Sequence, residues 1–187
     1  MKKIIVLFFI VACIVGLLTA CSAKNSNETI EFSFDANGNY TGFINLPTKY
    51  TVEDAEKDGY FLKQGLEVIA NNDVWDNYIE TASQGNNIGI RMVGFYTEDS
   101  NSPYFYDLFF NDGYYYLFDS SSENQEKQPF LYLLTLEGKF GNPLKDSGVV
   151  VLTNDNTLTF NDVVKSIISS NLDYIQSVSP YKLVMFQ

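Results

Sequence analysis

Tyr104-Phe-Tyr-Asp107-Leu-Phe-Phe110-Asn111-Asp112-Gly113-Tyr114-Tyr-Tyr-Leu-Phe118-Asp119 decides how the second half of this chain is read. Two runs of aromatic and aliphatic residues flank an Asp-Gly pair, the strongest short signal for a β-hairpin. Pro103 stands where the first residue of a strand tolerates a proline. Two registers are open. If Gly113 is the bulge residue of a three-residue loop, Phe110 pairs with Tyr114 and Leu108 with Tyr116. Tyr104, Tyr106, Leu108, Phe110, Tyr114, Tyr116 and Phe118 then share one face, and Asp107 and Asp119 share the other. A two-residue loop at Asp112-Gly113 would split the acids between faces and bury one of them. Burying a carboxylate is costly, so the bulged register is expected.

Working upstream, Ile88 to Thr97 reads as another strand and carries Arg91, the sole arginine. Arg91 is expected to form an ion pair with an acid of its own sheet, such as Asp107. Asn71-Asn72-Asp73 opens a helix that runs to Gln84 and ends at Gly85. Val74, Trp75, Tyr78, Ile79 and Ala82 fall on one face of it, with Trp75 as a core anchor. Tyr60 to Ile69 reads as two short extended pieces bent at Gly65. Thr51 and Asp54 form a capping box for a short helix closed by Gly59. Ile30, Phe32 and Phe34 alternate with polar residues as a strand; Asn37-Gly38 predicts a type I′ turn and Tyr40 to Ile44 a return strand. A calcium loop built on Asp35, Asn37 and Asn39 would need Gly and Glu where Tyr40 and Leu46 stand.

Downstream, Ser120 to Gln128 is a polar loop. Strands Phe130 to Glu137 and Val149 to Thr153 are separated by a turn over Gly138 to Gly148. Thr159 and Asp162 repeat the capping box and open a third helix, whose face is Phe160, Val163, Val164, Ile167 and Ile168. Pro180 precedes a last strand, Tyr181 to Phe186. The fold expected from this order is α+β: an antiparallel meander sheet with about three helices packed on one face.

The amino terminus reads differently. Met1-Lys2-Lys3 is followed by an apolar run, Ile4 to Leu18, which at about 15 residues is short for a membrane-spanning helix of about 20. The run ends in Leu18-Thr19-Ala20-Cys21. This stretch resembles the lipobox of bacterial lipoproteins. The resemblance implies that residues 1–20 are a signal peptide and that Cys21 carries the lipid, palmitate chains included, at the extracytoplasmic face of the cell membrane. Two acyl chains hold a protein stably where one holds it only marginally. Residues 21–27 are polar and aperiodic, a flexible tether, which leaves 28–187 as a single domain.

Composition narrows the chemistry. Loss of residues 1–20 removes two of the 12 basic residues and none of the 23 acidic ones, taking the net charge from −11 to −13. Such a balance argues against nucleic acid as a partner, because that affinity comes from cations neutralising phosphates. Cys13 leaves with the signal, Cys21 is consumed by lipid, and histidine is absent. Ser-His-Asp and Cys-His catalysis are therefore excluded, as are ordinary zinc sites, and no cofactor or metal is expected.

Glu53-Asp-Ala, Trp75, Ile90-Arg91, Tyr106-Asp107-Leu108 before Asp112-Gly113, and Leu158-Thr159 before Asp162-Val163 also occur in a recognisable order. The order is similar to small lipoproteins of Gram-positive bacteria with a single domain of unknown function. It implies a cell-envelope location and one α+β domain, with no assigned activity. The candidate binding surface is Asp107, Asp119, Arg91 and Tyr115. Exposed tyrosines beside acids suit a protein, peptide or glycan ligand in the envelope. In the bulged register the two acids would stand about 7–8 Å apart on the diagonal. That spacing opens a second reading, a glycan hydrolase using Asp107 and Asp119. A third is an acidic inhibitor or immunity protein for an extracellular enzyme. Ser179-Pro-Tyr-Lys182 matches the S-x-x-K pattern of acyl-enzymes only by letter, since the pattern requires a helix and this segment follows a proline into a strand.

Overall fold

The computed structural model describes residues 30–47, 49–96 and 99–187. The lipobox, signal peptide and tether expected over 1–27 lie outside these residues. Twelve elements follow in chain order: α1 (Val52–Lys57), β1 (Phe61–Gln64), β2 (Glu67–Ala70), α2 (Asn72–Ser83), β3 (Ile88–Tyr96), β4 (Asp99–Asn111), β5 (Tyr114–Asp119), β6 (Tyr132–Phe140), β7 (Lys145–Thr153), α3 (Phe160–Ile168), α4 (Leu172–Ser177) and β8 (Tyr181–Phe186).

The class is α+β, but the single meander is not formed. The strands divide into a mixed sheet ordered β2-β1-β3-β4-β5 and an antiparallel sheet ordered β6-β7-β8. The mixing arises at one crossover. β1 and β2 form a hairpin, and α2 then carries the chain back across the sheet, so that β3 lies beside β1 and parallel to it, Phe61 opposite Met92 and Lys63 opposite Gly94. A parallel pair requires such a connection. A fourth helix, α4, is also present. Asn171 caps it, its side chain accepting the N–H groups of Asp173 and Tyr174.

Nor do the helices share one face. Phe61, Met92, Leu108 and Leu117 of the five-stranded sheet pack on Trp75 and Tyr78 of α2 and on Val150, Leu152, Val184 and Met185 of the three-stranded sheet. The opposite face carries Leu62, Val93, Phe95 and Phe105, covered by Tyr50 and by Ala55 of α1. α3 packs Phe160, Val163 and Val164 on the far side of the second sheet, against Val149 and Val151. Sheets buried on both faces need apolar residues on both, which the runs Val149–Leu152 and Leu108–Phe110 supply.

Both capping boxes form as expected, Thr51 with Asp54 and Thr159 with Asp162. Trp75 is buried against Phe61 and Tyr78. Other expectations need correction. The turn over 35–39 is closed by the Gly38 N–H to the Asp35 carbonyl, with left-handed φ at Gly38 but not at Asn37, so it is not type I′. Asp35 Oδ1 dictates that shape by accepting the N–H groups of Asn37 and Asn39. The return strand reduces to a bridge from Phe34 to Tyr40. Gly138 and Gly148 are not turn residues; both lie within paired strands, opposite Ser147 and Glu137. Gly138 serves packing instead, because a Cβ there would run into the Phe160 ring.

Candidate functional site

The decisive hairpin takes the other register. Asn111 pairs with Tyr114, Phe110 with Tyr115, and Asp107 with Phe118. Asp112 and Gly113 have φ of 52° and 86°, the two left-handed positions that a two-residue type I′ turn demands. The Asp112 N–H donates to Asn87 Oδ1 at 2.9 Å, which secures the strained position. Asp107 and Asp119 therefore stand on opposite faces, and the diagonal pair does not form.

Asp107 meets the cost that argued against this register. It is 0% exposed, and Arg91, directly opposite on β3, donates from Nε to Oδ1 (2.7 Å) and from Nη2 to Oδ2 (2.6 Å). The Tyr40 hydroxyl donates to Oδ2 as well, at 2.7 Å. A buried carboxylate is tolerated when paired and hydrogen-bonded in this manner. Arg91 also donates to the Gly42 carbonyl and lies near the faces of Phe43, Tyr60 and Phe105. Burial works to lower the Arg91 pKa, but the hydrogen bonds and charge of Asp107 outweigh it and hold the guanidinium above its usual range. Burial, then the charge of Asp107, pushes the Tyr40 phenol well up. The arrangement clasps residues 40–43 onto the outer face of the large sheet.

Asp119 and Tyr115 belong to the inner face. Asp119 lies opposite Tyr106 and accepts the Ser121 N–H and hydroxyl at 2.8 and 2.7 Å. Tyr115 bridges to Phe130 through its backbone and sets its ring 4.9 Å from Phe110. The four residues singled out from the sequence thus form no common surface. Ser179 and Lys182 are likewise engaged separately, Ser179 donating to Asp155 and Lys182 Nζ to the Leu117 carbonyl at 2.6 Å.

A different group converges where the two sheets meet. Lys63, Met92, Gly94, Tyr104 and Tyr106 share the inner face of the large sheet, and β8 runs across from them. Together they line a cleft of about 160 Å³, with Leu66 and Phe186 also in its wall. Lys63 Nζ donates to the Phe186 carbonyl at 3.0 Å. Burial alone pushes the Lys63 ammonium down to about 8. Among the described residues the ion pairs are Arg91–Asp107 and Lys139–Asp146, so no carboxylate there lies within ion-pair distance of Lys63. Tyr104 lies across Gly94, where a Cβ would collide with its ring. The rings of Tyr96, Tyr104 and Tyr106 form a chain with centroids 5.2 and 5.5 Å apart. Burial, then the charge of Asp119, pushes Tyr106 up to about 12. Leu66 and Phe186 also border a second, apolar hollow of about 230 Å³, with Phe140, Val164, Ile167 and Ile168.

Sequence reasoning passed over Lys63 because Phe61-Leu-Lys-Gln64 looks like any short strand. The available signal was a lysine on the same face as Phe61 in a period of two. Comparison of the chain with family models, with curated proteins and with solved structures returned no match.

Proposed function

We propose that this chain is a lipid-anchored binding module of the cell envelope, held at the extracytoplasmic face of the membrane through Cys21, with a protein, peptide or glycan as its ligand. Leu18-Thr19-Ala20-Cys21 after the apolar run supports the anchor. The observation that carries binding is the Lys63 cleft. A cation without a carboxylate partner among the described residues stands there beside two tyrosines on an apolar wall, a few polar groups in a mostly apolar concavity as ligand sites have. Asp107, by contrast, spends both carboxylate oxygens on Arg91 and Tyr40, an arrangement that suits holding the fold better than moving protons. The net charge of −11 keeps one further reading in view, an inhibitor of a basic extracellular enzyme.

Two measurements test the proposal. Cells fed an alkynyl palmitate should label the wild-type chain in the membrane fraction and leave the Cys21→Ala variant unlabelled; label on the variant would reject the anchor. Wild-type chain solubilised from membranes should capture an envelope component that the Lys63→Met variant loses. Capture that is equal for both chains and weakens steeply with salt would favour the inhibitor reading instead.

A further inference from the structure

The lining of the cleft points to a ligand chemistry beyond the protein, peptide or glycan named above, and this inference rests on the same reading of the chain as a binding module. Among the described residues its one cation is Lys63, and the polar side chains around it are the phenols of Tyr104 and Tyr106. An ammonium has three donors. Among the described residues the acceptor seen for Lys63 is one carbonyl, that of Phe186. A single monovalent cation matches a single monovalent anion. A phosphate dianion is ordinarily held by an arginine fork or several donors at once, and the acidic surface repels polyanions from a distance. A sugar would need several donors and acceptors along its ring, whereas the other side chains of this wall are apolar, Leu66, Met92, Val184 and Phe186 among them. The wall therefore calls for an apolar body behind one charged group. Leu66 and Phe186 line both the cleft and the hollow beside Ile167 and Ile168, so the two spaces are neighbours.

We propose that this cleft binds a monocarboxylate with an apolar body, its carboxylate seated on Lys63 between Tyr104 and Tyr106 and its body directed past Leu66 and Phe186 toward Ile168. The ligand is a small amphiphile, a fatty acid or an aryl-alkanoate, and its association is non-covalent. Exposed Leu66 and Ile168, at 69% and 64%, become covered when the site is filled. Burial of each further methylene strengthens binding, so affinity rises along the series acetate, butyrate, octanoate.

Competitive acetylation tests this on the full chain in phosphatidylcholine nanodiscs, with modification of each lysine read by mass spectrometry. Octanoate should slow acetylation of Lys63 roughly tenfold at a concentration ten times its Kd, since occupancy sets the protected fraction. Lys139, Lys145 and Lys165 should react unchanged. Octanol should protect far less, and butyrate should require a higher concentration than octanoate. An Ile168→Asp chain should bind butyrate as before and lose the advantage of octanoate, while a Lys63→Arg chain should still show octanoate-dependent quenching of Trp75 fluorescence or an equivalent shift in melting temperature. No protection of Lys63 by octanoate overturns the proposal. So does equal protection by octanol, which would remove the carboxylate from it, or equal protection by acetate, which would remove the apolar body. Each of these failures leaves palmitate labelling at Cys21 and capture of an envelope partner untouched, so the binding-module reading stands or falls separately.

Discussion

Arg91 and Asp107 face each other across directly paired positions of β3 and β4 and share two hydrogen bonds inside the protein, at 2.7 and 2.6 Å. The pair is deep enough that breaking it strands a charge. Arg91→Met or Asp107→Leu alone should each lower stability by about 3–5 kcal/mol. The double variant, which removes both charges, should lose markedly less than the sum. Urea unfolding of the four chains of this cycle, giving a coupling energy near zero, would show that the pair contributes nothing as a pair.

Stability should pass through a maximum in mildly alkaline solution. Lys63 is pushed down to about 8 in the fold and returns to about 10.4 when unfolded. Between those values the unfolded chain holds a proton that the folded chain has released, so stability rises with pH. The buried phenols of Tyr40, Tyr50 and Tyr78 are shifted up in the fold. Above about pH 10 the unfolded chain loses their protons first, and stability falls. Denaturant midpoints between pH 7 and 11 should trace this curve, and Lys63→Met should flatten the rising limb. A rise unchanged in that variant would assign it to another group.

Thr159 closes the capping box of α3 with Asp162, and α3 covers the far face of the second sheet. Thr159→Ala should cost about 1 kcal/mol, whereas Thr159→Ser should cost only a fraction of that. Thermal unfolding that ranks serine with alanine would mean the hydroxyl is not the group that matters.

Gly138→Ala should destabilise by about 1–3 kcal/mol, because the new methyl group meets the Phe160 ring within a packed layer. Pairing it with Phe160→Leu should recover part of the loss. An additive double variant would place the strain in the backbone rather than in the ring contact.

Local chemistry was legible in the sequence and long-range consequence was not. Both capping boxes and the burial of Trp75 follow from neighbours a few residues apart. Asp112-Gly113 carries the type I′ signal plainly, but what argues locally for the other register is the cost of burying Asp107. Its partners are Arg91, 16 residues away, and Tyr40, 67 residues away, and no local pattern announces that the second of these arrives. The parallel pairing of β1 with β3 has the same origin. It depends on where α2 lands, which propensity does not encode. Gly138 reads as a turn residue because a glycine emptied for a neighbour's ring and a glycine needed for a bend look alike in sequence.

The two sheets are stitched together by Lys63 and Lys182, each giving its ammonium to a main-chain carbonyl of the opposite sheet, at Phe186 and at Leu117. Neither stitch is an ion pair among the described residues. A carbonyl dipole cannot be protonated by acid, and at hydrogen-bond range its hold on a half-buried cation is little screened by added electrolyte. Neither stitch ends on an ionised carboxylate that acid could neutralise, so the seam answers to alkali instead, where the Lys63 ammonium, pushed down to about 8, gives up its proton.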